Sequence, residues 1–144
     1  MQDLKQNDIS KEKLCELAEL RLSEAGALLE AGHYSGAYYL GGYAVECGIK
    51  AIIASSFQSN TIPDRKRLDG VFVHNPAKLL NVAGLEAELQ NATDLSSEFQ
   101  KNWILVKDWS ERSRYEIWDE VQARDLFSAL NGPNGVMPWL KTFW

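Results

Sequence analysis

A glutamate and a lysine one helical turn apart, Glu46 and Lys50, stand in the most apolar stretch of this chain. Glu before Lys at this spacing is the favourable order on a helix. A charge inside an apolar helix is kept only when it is paired, because desolvating a lone one is very costly. Arg21 likewise falls on an otherwise apolar helical face. These three residues predict a polar network inside the fold, with Glu46 paired to Arg21 or Arg114. Such a network either fixes helix register or lines a charged cleft, and the sequence is compatible with both.

A second cluster is Trp109-Ser-Glu-Arg112-Ser-Arg114-Tyr115. Guanidinium groups beside aromatic planes suit contact with phosphates and bases. The same run also reads as a solvated loop with anchoring aromatics. His74 stands immediately before Asn75-Pro76, a helix start, and serves there either as a capping partner or as an acid or base. Arg65-Lys66-Arg67 reads as a solvated loop. Other chemistry is disfavoured. Leu40-Gly41-Gly42-Tyr43 has neither the spacing nor the preceding strand of a phosphate loop. His33, His74, Cys15 and Cys47 are not at ligand spacing, so no metal is expected, and no cofactor signature occurs. Cys47 in an apolar helix should have a raised pKa, which makes a Cys–His nucleophile pair a poor candidate.

The elements that must position these residues are helical. Residues 1–9 read as a polar tail and 10–144 as a single domain. Ser10 is the N-cap of a helix reaching about Ala31, with Leu14, Leu17, Ala18, Leu22, Ala25, Leu28 and Leu29 on one face and Gly32 as its C′ residue. The next helix, from about Ser35 to Phe57, is apolar almost all round, as in a helix enclosed by others. Its glycines (Gly36, Gly41, Gly42, Gly48) are expected where neighbouring backbones approach closely. Residues 58–75 read as a loop. Asn75 and Pro76 start a short helix ending near Gly84. A fourth segment spans about 96–109, with Phe99, Trp103, Leu105 and Val106 on one side. Asp119 caps a fifth helix to about Leu130, carrying Val121, Ala123, Leu126, Phe127 and Leu130. The aromatic residues 136–144 are expected to dock as a final turn or short helix. Without strand-like alternation or repeats, the expected fold is all-α: an up-and-down bundle of four to five helices plus a short C-terminal helical segment.

Bulk properties agree with this. A chain of 144 residues that is 45% hydrophobic buries roughly two-thirds of its unfolded surface without staples. The net charge of −5 excludes an overall basic nucleic-acid binder, so any nucleic-acid contact must come from a local patch. Cys15 and Cys47 read as buried free thiols, and the polar first residues are not those of a signal peptide, so a reducing, cytoplasmic setting is expected. Gly36 to Phe57 is apolar, but Glu46 and Lys50 at its middle argue against a membrane span.

The run Arg21-Leu22-x-x-Ala25-x-x-Leu28-Leu29-x-x-Gly32-x-Tyr34-x-Gly36-Ala37-x-Tyr39-Leu40-x-Gly42-Tyr43-Ala44-Val45-Glu46-Cys47-x-x-Lys50-Ala51 resembles the HEPN domain of prokaryotic proteins. Its Ala-Val-Glu-Cys-x-x-Lys-Ala core is the most specific part. His74 followed by Leu79-Leu80, and Trp109 to Tyr115, resemble two further motifs of that family in the right order. The resemblance covers about Leu14 to Leu130. It implies a helical bundle, often dimeric, often encoded beside a minimal nucleotidyltransferase in a toxin–antitoxin or related two-gene module. Some members are metal-independent ribonucleases that use an Arg followed, after a short gap, by a His. Arg114 matches the family's Arg-Tyr pair, but Asp119 stands five positions on and no His follows Arg112 or Arg114. The leading expectation is therefore a binding module for nucleotide or RNA, with Glu46, Lys50, Arg21, Arg112, Arg114 and Tyr115 as its polar residues. The alternatives are a toxin-type ribonuclease using Arg114 and His74, and a homodimeric interaction protein built on the aromatic C-terminus.

Overall fold

A computed structural model describes residues 8–144; most of the polar tail expected at 1–9, namely 1–7, lies outside the described residues. The described residues form eight α-helices and one 3-10 helix: α1 Lys11–Glu30, α2 Tyr34–Ser56, α3 Arg65–Val71, α4 Pro76–Ala83, α5 Glu86–Leu95, α6 Ser97–Lys107, the 3-10 helix Glu111–Tyr115, α7 Glu120–Asn131 and α8 Val136–Lys141. No strand occurs among the described residues. The fold is the expected all-α bundle.

Local signals set the helix ends. Ser10 Oγ accepts from the Lys13 amide, Asn75 Oδ1 from Lys78 and Ser96 Oγ from Phe99. Asp119 and Gln122 form a reciprocal capping box at the start of α7, which satisfies amides that have no intrahelical partner. Gly32 and Gly84 adopt positive φ of 83° and 75° after α1 and α4, a conformation that glycine reaches without a Cβ penalty.

α2 is the central element. α1, joined to it by a tight turn, packs along its length, and α4, α7, α8 and the 3-10 helix cover its other sides. This arrangement explains an apolar circumference: Ala37, Tyr38, Ala44, Val45, Cys47, Ile49, Ile52 and Ile53 are all buried. Its glycines admit neighbours. Gly41 lies against Leu130, Gly48 against Met137 and Leu140, and the indole of Trp109 rests directly on Gly42.

Three sequence expectations need correction. The loop at 58–75 contains α3, capped by Asp64, and α5 fills the span between α4 and α6. Leu105 and Val121, expected on core faces, are exposed, whereas Phe99, Trp103, Val106, Ala123, Leu126 and Leu130 are buried as expected. The aromatic C-terminus packs on the chain's own core: Val136, Met137 and Leu140 are fully enclosed, Trp139 lies between Phe99 and Phe143, and the Trp144 indole N–H donates to the Gly48 carbonyl at 3.2 Å.

Candidate functional site

Glu46 projects from the middle of α2 and is 4% exposed. Two nitrogen-bearing side chains meet its carboxylate. Lys50 Nζ is 3.3 Å from Oε2, and His74 Nδ1 is 2.9 Å from Oε1. Lys50 comes from the next turn of α2. His74 comes from the residue before the Asn75 cap of α4, and its backbone is set by that cap and by Pro76 at the first helical position. The opposite face of the imidazole looks outward: His74 Nε2 is 3.3 Å from Glu111 Oε2. That same carboxylate oxygen is 3.8 Å from Arg114 Nη2. Lys50, Glu46, His74, Glu111 and Arg114 therefore form one continuous chain of polar contacts from α2, past the start of α4, to the 3-10 helix.

This geometry corrects the expected partners of Glu46. Neither Arg21 nor Arg114 pairs with it. Arg21 forms an ion pair with Glu24 on its own helix and is partly exposed. A side chain as long as arginine's carries its head from an apolar face to the edge of the bundle. Arg114 reaches Glu46 only through Glu111 and His74. The burial of Glu46 and its pairing with Lys50 stand as expected.

Cys47, next to Glu46, has its thiol pushed up to about 11 by burial, with the Glu46 charge adding to the shift and a hydrogen bond with Tyr43 opposing it. It is a free thiol, as is Cys15, and a poor nucleophile at neutral pH.

The 3-10 helix is held from both ends. Before it, Trp109 is buried against Gly42. After it, Trp118 stacks on Tyr38 at 3.7 Å between centroids, donates its indole N–H to the Ser113 carbonyl, and donates its backbone amide to Ser35 Oγ at 2.8 Å. Ser113 is buried between these anchors. The charged residues between the anchors point outward. Arg112, Arg114 and Tyr115 are exposed, and the Arg114 guanidinium lies 5.1 Å from the centre of the Tyr115 ring, within cation–π range.

Between the 3-10 helix and the start of α4 lies an open groove of about 470 Å³, lined by His74, Asn75, Lys78, Ser110, Glu111 and Arg112 among others. Among the described residues neither Lys78 nor Arg112 forms an ion pair, and both line this groove together with the Glu111 carboxylate. Sequence reasoning missed Lys78, Ser110 and Glu111. Glu111 lay inside the basic-aromatic run, and Lys78 lay on the exposed side of the first turn of α4. Only the approach of the two segments, more than thirty residues apart in the chain, joins them. Beyond Phe72 an apolar groove of about 350 Å³ runs between α1, α2 and α3, with Lys50 on its wall.

Among the described residues no group of three His, Cys, Asp or Glu side chains is placed to hold a metal ion, and no helix is long and apolar enough to cross a membrane. No curated protein and no solved structure matches the chain. The sequence profile of the HEPN domain matches residues 11–142. That match runs from the first residue of α1 to the residue after α8 and takes in every element of the site, and the chain belongs to the HEPN domain family.

Proposed function

We propose that this chain is a binding module for phosphate-bearing ligands of the nucleotide or RNA type, working through the groove between α4 and the 3-10 helix. The observation that carries this reading is the pair of cations Lys78 and Arg112, neither in an ion pair among the described residues, which line one groove from α4 and from the 3-10 helix. An exposed arginine–tyrosine pair, Arg114 over Tyr115, stands beside it. A phosphate takes two or more charge-assisted hydrogen bonds from such a set, and an exposed tyrosine offers a face on which an unpaired base can stack. The local patch supplies what the net charge of −5 does not. A companion nucleotidyltransferase encoded alongside, and a homodimeric state, belong to the same proposal on the family resemblance alone.

The test is binding of a short fluorescent single-stranded oligoribonucleotide, followed by anisotropy at low salt. Wild type should bind, and Lys78→Ala and Arg112→Ala should each weaken binding by about threefold to tenfold and reduce the salt dependence. Equal binding by wild type and by the double variant would refute the reading.

One observation favours a second reading, a metal-independent ribonuclease. Buried Glu46 holds His74 Nδ1 at 2.9 Å, as an orienting carboxylate holds a proton-transferring imidazole. Arg114 would then stabilise the scissile phosphate. Expression of the chain alone, with RNA integrity and growth followed, separates the two. Growth arrest and RNA cleavage that vanish in both His74→Ala and Arg114→Ala would establish the enzyme and displace the binding module.

A further inference from the structure

Glu111 is out of keeping with a groove that recruits phosphate. It places a negative charge where the ligand's negative charge would go. Its Oε2 lies beside the imidazole and one guanidinium of the site, at 3.3 Å from His74 Nε2 and 3.8 Å from Arg114 Nη2. Both separations are longer than the roughly 2.7–2.9 Å of a well-formed charge-assisted hydrogen bond. Glu46, behind the same imidazole, sits at 2.9 Å and is buried. His74 is thus held firmly from the inside and loosely from the groove side.

We propose that Glu111 is a resident stand-in for the ligand's phosphate: its carboxylate occupies His74 and Arg114 in the empty protein, and an incoming phosphate displaces it. This rests on the binding reading above and adds to it a built-in competitor. A phosphate presents more acceptor oxygens than a carboxylate and can engage Arg112 and Lys78 together with the imidazole and guanidinium that Glu111 holds. His74 does not collapse when Glu111 leaves, because Glu46 keeps its Nδ1. The exchange needs only a side-chain rotation. The backbone on either side of Glu111 is fixed by buried Trp109 and Ser113, while the Glu111 side chain is about half exposed. The device sets a threshold: weakly charged ligands fail to displace the carboxylate, and a terminal phosphate, with two charges at neutral pH, succeeds.

The experiment compares 5′-phosphorylated and 5′-hydroxyl forms of one short oligoribonucleotide on wild type, Glu111→Gln, Glu111→Ala and Arg112→Ala. Removing a like charge beside the ligand is expected to tighten binding by at least about threefold in both Glu111 variants. The advantage of the 5′-phosphate over the 5′-hydroxyl should shrink in the same two variants. A residue that merely lines the groove gives the opposite sign, since its loss weakens binding. If wild type binds, Arg112→Ala weakens it, and both Glu111 variants bind no tighter than wild type, the stand-in role is overturned while the binding module stands. If neither wild type nor the Glu111 variants bind either oligonucleotide, the binding module and the stand-in role fall together.

Discussion

Glu46 is a carboxylate closed off from solvent and matched by Lys50 and His74. Removing it leaves the largely buried Lys50 ammonium without its partner, and uncompensated buried charge is among the largest single-residue penalties. Glu46→Ala should lower the unfolding free energy in urea by about 3 kcal/mol, and a loss below about 1 kcal/mol would show that the pair contributes little. Part of this was legible in the sequence. An acid four residues before a lysine in an apolar helix has to be paired, and it is. The third partner was not legible, because His74 is brought in from a different helix start. Arg21 was misplaced for a related reason: a helical wheel projects Cα positions, and the guanidinium extends well beyond them to reach Glu24. At Cys47 the thiol is raised to about 11. A raised thiol pKa favours the neutral form in the folded state. The associated stability is fully present below the unfolded value near 9 and is lost as pH rises toward 11. At pH 8 only about a thousandth of Cys47 is thiolate, so alkylation in the native protein should be far slower than for an unfolded thiol. Native-state labelling followed by mass spectrometry checks this, and labelling at the unfolded rate would contradict it.

At the scale of elements, α2 makes the rest of the site possible. Its glycine at position 42 lets the Trp109 indole lie on the helix backbone, and Trp109 fixes where the 3-10 helix and its charged residues begin. A Cβ at Gly42 would overlap the indole ring, which has no flexible end to swing away. Gly42→Ala should therefore destabilise the fold by about 2–3 kcal/mol and disturb the groove with it. At Gly84 a Cβ meets nothing within 4 Å, so Gly84→Ala should cost only the strain of its positive φ, about 1 kcal/mol. Thermal unfolding of the two variants gives the comparison, and equal losses would contradict the assigned role of Trp109. The long helices were readable because they bury a continuous face. α3 and α5 were not, because they are short and touch the core only through half-buried side chains such as Val71, Leu89 and Ala92, and a short helix shows too few turns of apolar period to stand out in the sequence. Leu105 and Val121 show the converse error: both fit the period of their helices, yet they lie at its edge, where the neighbouring helix no longer covers them.

For the molecule as a whole, the C-terminal aromatics close the bundle over α2 through Met137, Leu140 and Trp144. In the proposed function the groove lined by Lys78 and Arg112 is where a phosphate-bearing ligand docks on a chain of net charge −5. All-α architecture and helix caps could be read from the sequence, since they follow from local patterning. The groove could not, since its walls come from segments that the chain order separates and the fold brings together. The most direct measurement is a titration of isotope-labelled protein with a short 5′-phosphorylated oligoribonucleotide, followed by amide chemical shifts. Saturable shifts confined to residues 72–78 and 110–115, abolished by Arg112→Ala with Lys78→Ala, are the predicted result; shifts centred elsewhere on the bundle, or none at all, would contradict the account.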